Sequence, residues 1–221
     1  MRLNKYVASS LDISRRQADE LIKAGLIKLN GQPVDFNFTP SVGEHLYYQN
    51  AILEPNFAPK VILMLNKPID YVCSRNGQGS NTIYDIIPKK YHNLNPIGRL
   101  DKNSSGLLLL TNDGQIQQQL THPKYEKQKV YQVKIDKPLT NEDAQKILSG
   151  VELEDGISQL RIELPGTNYR HLVVTMHEGR NRQIRRTFAS LGYKVTKLHR
   201  VCFGPYELGE LKPGEHKLVG S

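Results

Sequence analysis

An aspartate stands in a polar loop directly before a strongly apolar run near the middle of the chain. Asp101 lies between Gly98 and Gly106, and the four leucines that follow are typical of a buried strand entered from a turn. A carboxylate held by a rigid core element can act as a nucleophile, or can stabilise positive character at a reacting carbon. Local chemistry also allows a plainer interpretation, in which Asp101 caps a turn and pairs with a nearby cation.

A strongly basic segment lies towards the C-terminal end. Between Gly179 and Arg200 the sequence has seven Lys or Arg residues and no acid. Such a density of one charge is unfavourable unless an anionic group lies opposite, and arginine suits phosphate and carboxylate partners. Ile184, Phe188 and Leu191 follow helical spacing and predict one apolar face. A merely solvated helix would normally intersperse acids, so we favour a helix that faces an anion.

The overall charge also points to a polyanionic partner. The 221 residues carry a net charge of +8, and all of the excess lies in residues 60–221, because residues 1–59 contain six basic and six acidic side chains. No apolar run approaches the ~20 residues that span a bilayer, and the N-terminus lacks the apolar core of a signal peptide. Cys73 and Cys202 form neither a disulfide framework nor a metal cluster. We therefore expect a cytoplasmic protein without membrane contact.

The first 48 residues have the pattern of a small separate domain of α/β type. Two short helices are predicted, the second beginning at a capping box formed by Ser14 and Gln17. Asn30 and Gly31 then form the strongest short hairpin signal, because a two-residue turn needs a positive φ at both positions. A hairpin therefore follows the helices.

A linker and a larger domain are predicted to follow. Residues 49–59 contain two prolines and little periodicity, which indicates a semi-extended linker. Residues 60–221 then form the second domain. Within it the strict alternation of residues 129–135 predicts a strand with Tyr131 on its apolar face, where a core tyrosine is the simpler interpretation.

These motifs together resemble the pseudouridine synthases. The Gly-Arg-Leu-Asp segment at 98–101 and the leucine strand after it are similar to the family's catalytic segment, in the branch named after RsuA that modifies ribosomal RNA. The segment 179–185 is similar to the family's C-terminal motif, and residues 1–48 resemble an S4-type (alpha-L) RNA-binding domain. One position departs from the pattern, since Asp70 stands where the family usually has glycine. Aspartate tolerates the left-handed conformation better than most residues, so the turn can survive.

The resemblance implies roles for particular residues. Asp101 would carry the reaction, and Arg185 would be the cation that offsets its charge in a dry pocket. Tyr131 would stack on the uracil and assist proton transfer. Arg99 would replace the extruded base in the RNA helix, and Leu198 would form a wall beside the base. Further RNA contacts are expected from Arg15, Arg16, Lys23, Lys28, Arg180 and Arg182.

The fold implied by this resemblance is α+β. We expect a catalytic domain built on a mostly antiparallel mixed sheet, preceded by the small N-terminal RNA-binding domain. The expected reaction is the isomerisation of a specific uridine to pseudouridine in ribosomal RNA of the large subunit. It involves no redox change and no group transfer, so no cofactor and no metal are expected. The expected substrate is a folded RNA in a ribosome-assembly intermediate, and the enzyme is expected to be a monomer.

Three other functions were weighed against this one. A small-subunit RNA pseudouridine synthase is the nearest alternative. An RNA-binding ribosome-assembly protein that has lost catalysis is disfavoured by four intact residues, Arg99, Asp101, Tyr131 and Arg185. An RNA methyltransferase with the same N-terminal module would need a Gly-rich cofactor loop after a strand, and the segment 77–79 is too polar for one.

Overall fold

The computed structural model describes residues 1–41, 43–55 and 59–219. The chain divides into two compact units, Met1–Pro59 and Lys60–Ser221, and each has its own hydrophobic core. Within the described ranges, no helix has the length and apolar character needed to cross a membrane. The two units are described separately below.

The first unit contains two helices and a four-stranded antiparallel sheet. Its elements are α1 (Leu3–Leu11), α2 (Arg15–Lys23), β1 (Ile27–Leu29), β2 (Gln32–Pro33), β3 (Leu46–Tyr48) and β4 (Ala51–Ile52), with the strand order β2-β1-β3-β4. The capping box is present: Ser14 Oγ accepts from the Gln17 N–H at 3.2 Å, and the Ser14 N–H donates to Gln17 Oε1 at 2.9 Å. Asn30 and Gly31 both have positive φ and connect β1 to β2 as predicted.

The structure corrects the start of the predicted linker. Strand β4 pairs with β3, and Leu53 is buried in the core of the first unit, where its N–H donates to the Leu46 carbonyl at 2.7 Å. Gln49 and Asn50 make the connecting turn, with φ of 49° and 66°. Such a turn usually contains Asn-Gly or Asp-Gly, and the absence of glycine explains why the sequence did not reveal it.

The second unit is built on a nine-stranded mixed sheet. Its strands are β5 (Ile62–Lys67), β6 (Asn95–Ile97), β7 (Ser105–Thr111), β8 (Lys129–Ile135), β11 (Arg161–Glu163), β12 (His171–Met176), β13 (Val195–Phe203), β14 (Tyr206–Glu207) and β15 (His216–Val219). A separate hairpin is formed by β9 (Val151–Leu153) and β10 (Gly156–Ser158), and the helices are α3 (Gly114–Thr121), α4 (Asn141–Ser149) and α5 (Gln183–Ser190).

The pairing within this sheet is antiparallel except between β7 and β13, which run parallel. The main path is β11-β12-β8-β13-β7-β5-β15, with β6 and β14 paired at its side. The α+β class with a mostly antiparallel mixed sheet is therefore confirmed. The parallel pair is important for the site because it brings the start of β7 beside the middle of β13.

Strand β7 is the rigid support for the aspartate loop. Its four leucines are fully buried and alternate between two hydrophobic clusters, one on each face of the sheet. Burial on both faces explains why the run is continuously apolar rather than alternating. Gly106 begins the run at φ 103°, and a Cβ there would overlap the backbone of Arg200 on β13. Only glycine permits this close approach of the two strands.

Candidate active site

A cleft of about 480 Å³ opens in the second unit next to the aspartate loop. Its walls come from the loop at 98–101, the start of β8, the segment 176–184 and the middle of β13. Most of the residues that the sequence singled out in this unit therefore meet in one place.

The loop that carries Asp101 is held by its own backbone and by a neighbouring turn. The Ser104 N–H donates to the Asp101 carbonyl at 3.0 Å, and the Asp70 N–H donates to the Lys102 carbonyl at 2.7 Å. Asp70 has φ 70°, so the left-handed turn expected at this position is present without glycine. The two turns brace each other, and the Asp101 side chain remains half-buried at the cleft.

A buried lysine holds the same loop in place through hydrogen bonds to backbone carbonyls. Lys67 has 0% exposure, and its Nζ donates to the carbonyls of Pro68 and Ser104, both at 2.8 Å. Burial lowers the pKa of Lys67, although the charges of Cys73, Asp101 and Asp70 act in the opposite direction. Lys67 is not among the residues to which the sequence patterns assign a role. Its position at the end of an apolar run is a signal for a structural role, because a lysine in a buried strand is rare unless it has a partner.

Arg182 forms the direct ion pair with Asp101, whereas Arg185, which the resemblance implies as the offsetting cation, forms no ion pair with it among the described residues. Arg182 Nη1 donates to Asp101 Oδ2 at 3.2 Å. Arg182 is the N-terminal cap of α5 and has φ 47°, a left-handed conformation that is uncommon for non-glycine residues. The irregular backbone before the helix, rather than the helix itself, directs the contact.

Arg185 instead fixes the backbone around the loop. Its Nη1 donates to the Val195 carbonyl and its Nη2 to the Asn103 carbonyl, both at 2.8 Å, with a longer contact to Ser104 Oγ at 3.4 Å. Burial lowers the pKa of Arg185 and the nearby charge of Arg182 acts in the same direction, whereas the charge of Asp101 raises it. Arg185 therefore joins α5, β13 and the aspartate loop.

Tyr131 and Leu198 form the apolar side of the cleft. Both are buried, and both line the cleft together with Asp101. They lie on neighbouring strands, since Tyr131 is paired with Arg200 and Leu198 with Val133 in the β8–β13 ladder. Arg99 is exposed and also lines the cleft.

Two arginines of the basic segment are held by one distant carboxylate. Arg180 Nη1 donates to the Asp155 carbonyl and to Asp155 Oδ1, at 2.8 and 2.9 Å, and Arg180 also reaches the carbonyls of Gly156 and Ile157. Arg186 binds both carboxylate oxygens of Asp155, at 3.0 and 2.7 Å. The hydrogen bond from Arg186 lowers the pKa of Asp155. Arg180, expected to contact RNA, thus has both of its terminal nitrogens bound within the protein, since Nη2 also pairs with Glu178 Oε1 at 3.3 Å, while its buried Nε has no hydrogen-bond partner among the described residues.

A buried polar cluster ties the same hairpin to α5. Gln183 Nε2 donates to Ser158 Oγ at 3.1 Å, and Thr187 Oγ1 contacts the same hydroxyl at 2.8 Å. All three side chains are buried, so their mutual hydrogen bonds avoid a desolvation penalty. Asp155 had no role in the sequence analysis. Nothing local connects its turn with arginines 25 or more residues later.

The remaining sequence candidates lie in the first unit. Arg15 and Arg16 are exposed at the start of α2, Lys23 at its end, and Lys28 on β1. In the described part of the chain, none of the four forms an ion pair within the protein. Among the same described residues, no group of three or more His, Cys, Asp or Glu side chains is placed to hold a metal ion.

Comparison with known proteins identifies the family. The model for RNA pseudouridylate synthase matches residues 61–190, and the model for the S4 domain matches residues 1–46. A crystal structure described as that of a pseudouridylate synthase superimposes with a TM-score of 0.71 at 30% identity, over 100% of this chain and 96% of that one.

Named relatives agree over nearly the full length. Ribosomal large subunit pseudouridine synthase B of Bacillus subtilis is 35% identical over 97% of this chain and 90% of its own length. Ribosomal small subunit pseudouridine synthase A of Vibrio vulnificus is 32% identical over 99% of this chain and 96% of its own. The chain therefore belongs to the RNA pseudouridylate synthase family. It is an RNA-modifying enzyme with an S4 domain at its N-terminal end.

Proposed function

We propose that this enzyme isomerises one uridine of large-subunit ribosomal RNA, with Asp101 as the reacting carboxylate. The observation that carries the proposal is the position of Asp101. It is paired with Arg182 on a loop braced by Lys67 and Arg185, in a cleft that has Tyr131 and Leu198 as its apolar side. Catalytic groups require such rigid support.

The chemistry follows from these contacts. Cleavage of the glycosidic bond develops positive character at the anomeric carbon, and a carboxylate can attack or stabilise that centre. The Tyr131 ring offers a stacking surface for the uracil, and Leu198 limits the space beside it. The base must leave the RNA stack to reach this cleft, and exposed Arg99 is available to occupy the place it vacates.

The relatives include enzymes named for each ribosomal subunit. We choose the large subunit because the relative named for it is slightly more similar in sequence, 35% against 32%. The small subunit is the second candidate, supported by a relative that aligns over 99% of the chain. We further propose that the enzyme acts as a cytoplasmic monomer on folded RNA in a ribosome-assembly intermediate.

Replacing the carboxylate tests the reaction. Asp101→Asn should slow tritium release from RNA labelled at uridine carbon 5 by at least about 10³-fold, because the amide keeps the shape but cannot supply the charge. RNA affinity and thermal stability should change little. Asp70→Asn is the matched control, since asparagine also tolerates the left-handed turn, and it should stay within a few-fold of wild type.

The substrate is tested with transcripts of both ribosomal RNAs. After incubation, pseudouridine is mapped by chemical adduct formation and primer extension. We expect a new site in large-subunit RNA. Turnover by Asp101→Asn at the wild-type rate would refute the role of the carboxylate, and a site in small-subunit RNA alone would establish the second candidate instead.

A further inference from the structure

Two cations line one wall of the cleft and form no ion pair with a carboxylate among the described residues. Lys129 on β8 and Arg200 on β13 both line the cleft, and both lie over the ring of Phe203, at 5.4 and 4.8 Å from its centroid. In the part of the chain that the structure describes, neither side chain forms an ion pair. This differs from Arg180, which pairs with Asp155 and Glu178, and from Arg186, which pairs with Asp155.

Arg200 has hydrogen-bonding capacity that the protein does not use. It is 2% exposed, and its Nε donates to the Leu107 carbonyl at 2.7 Å. Its Nη2 is buried and has no hydrogen-bond partner among the described residues. A buried donor left unsatisfied is unfavourable, and a buried charge more so, unless a ligand compensates it.

Lys129 adds a second charge beside it. Its Nζ donates only to the Glu178 carbonyl, at 3.1 Å, among the described hydrogen bonds. Burial lowers the pKa of Lys129 and the charge of Arg200 lowers it further, whereas the charge of Glu178, which also lines the cleft, raises it. Lys127 lies two residues before it, lines the same cleft and has no hydrogen bond to another described residue. Three positive charges therefore run along one wall of the cleft, and Glu178 is the acid that acts on Lys129.

We propose that Lys127, Lys129 and Arg200 form a phosphate-binding wall for the RNA backbone next to the target uridine. The inference rests on the proposed function for its ligand, an RNA strand. The wall begins beside Tyr131, because Arg200 is the cross-strand partner of Tyr131 and Lys129 lies two positions before Tyr131 on the same face of β8. A neutral base could not compensate several cations, whereas successive backbone phosphates can.

Salt dependence of binding tests this wall without requiring turnover. A fluorescein-labelled oligouridylate of about ten nucleotides is titrated with the full-length protein at KCl concentrations from 50 to 300 mM. A phosphate contact on a single strand contributes about 0.7 to the slope of log K against log salt. Lys129→Gln and Lys127→Gln should each reduce the slope by about 0.7 and weaken binding about fourfold at 150 mM KCl.

Lys134→Gln is the matched control. Lys134 lies on the same strand β8 and carries the same charge, but its side chain points to the opposite face from Lys129, where it is exposed. It should leave the slope unchanged. Thermal unfolding of each variant confirms that the fold is intact, and Lys127→Gln provides a second test should Lys129→Gln be unstable.

The other outcomes either contradict the wall or separate it from the proposed function. Equal slopes for Lys127→Gln, Lys129→Gln and Lys134→Gln would remove the phosphate assignment. Weaker binding with an unchanged slope would show that these residues contact bases and would also overturn it. If the wild-type protein modifies neither ribosomal RNA while the slopes change as expected, the proposed function fails and the wall stands. If modification occurs and the slopes do not change, only the wall fails.

Discussion

Two basic regions that look alike in sequence are used differently in the structure. On α2 of the first unit, Arg15 and Arg16 are exposed and form no ion pair within the described residues. In the segment before and within α5, Arg180 and Arg186 are bound by Asp155, and Arg182 pairs with Asp101. The first set of charges is available to a ligand, whereas the second set builds the site.

Local charge density therefore does not identify which charges are free. The segment from Gly179 to Arg200 contains no acid, yet two of its arginines pair with a carboxylate more than 20 residues earlier in the chain, and one of them also pairs with Glu178. Arginine suits this structural use because its planar group satisfies several carbonyls and carboxylates at fixed geometry. Pre-organising a site in this way is more valuable for catalysis than adding one more surface cation.

The largest effect should follow from removing the cation beside Asp101. We predict that Arg182→Gln lowers kcat about 100-fold, because one charge-assisted contact at the reacting carboxylate is lost. Arg182→Lys should recover part of the rate. The measurement is single-turnover tritium release at saturating enzyme. If Arg185→Gln lowered the rate strongly while Arg182→Gln did not, the pairing seen here would not be the catalytic one.

The next effect concerns the carboxylate that holds the other arginines. Asp155→Asn should lower kcat about tenfold to a hundredfold, because loosening the hairpin displaces the segment that carries Arg182. RNA affinity should be equal or higher, since Arg180 and Arg186 are released. Asp155→Glu should restore much of the rate. A rise in KM with unchanged kcat would instead show that Asp155 does not position the reacting groups.

A smaller effect is expected in the first unit. Arg15→Gln combined with Arg16→Gln should weaken RNA binding about tenfold at 150 mM salt and lower the salt slope by about 1.4, with kcat unchanged at saturation. The control is Arg2→Gln combined with Lys5→Gln. Both side chains are exposed at the start of α1, so this double variant also removes two positive charges, but from the other helix. Equal loss of affinity in both double variants would mean that α2 is not a specific RNA surface.

The smallest effect is a pH dependence of stability. The Arg186 hydrogen bond lowers the pKa of Asp155 below its usual 3.8. A carboxylate with a depressed pKa stabilises the fold fully above its unfolded pKa and loses this contribution as pH falls through the folded value. The gap in melting temperature between wild type and Asp155→Asn should therefore be constant from pH 7 to 5 and narrow below about pH 4. A gap that widened on acidification would contradict this sign.

Much of the fold could be read from local patterns. The capping box at Ser14, the Asn30 hairpin turn and the buried run after Gly106 are all present as expected. Each signal acts within a few residues, because caps, turns and side-chain periodicity depend on nearby backbone. The short strand β4 was missed, since its turn at Gln49 lacks the usual glycine.

Local sequence patterns are enough to predict that an aspartate loop precedes a buried strand and that arginines cluster near α5. Which of these groups meet depends on long-range packing. The pairing of Arg182 with Asp101 joins residues 81 positions apart. The ion pairs of Asp155 with Arg180 and Arg186 join residues 25 and 31 positions apart. Such contacts depend on strand order, on the close approach at Gly106 and on the irregular backbone before α5. Local propensity does not encode any of the three.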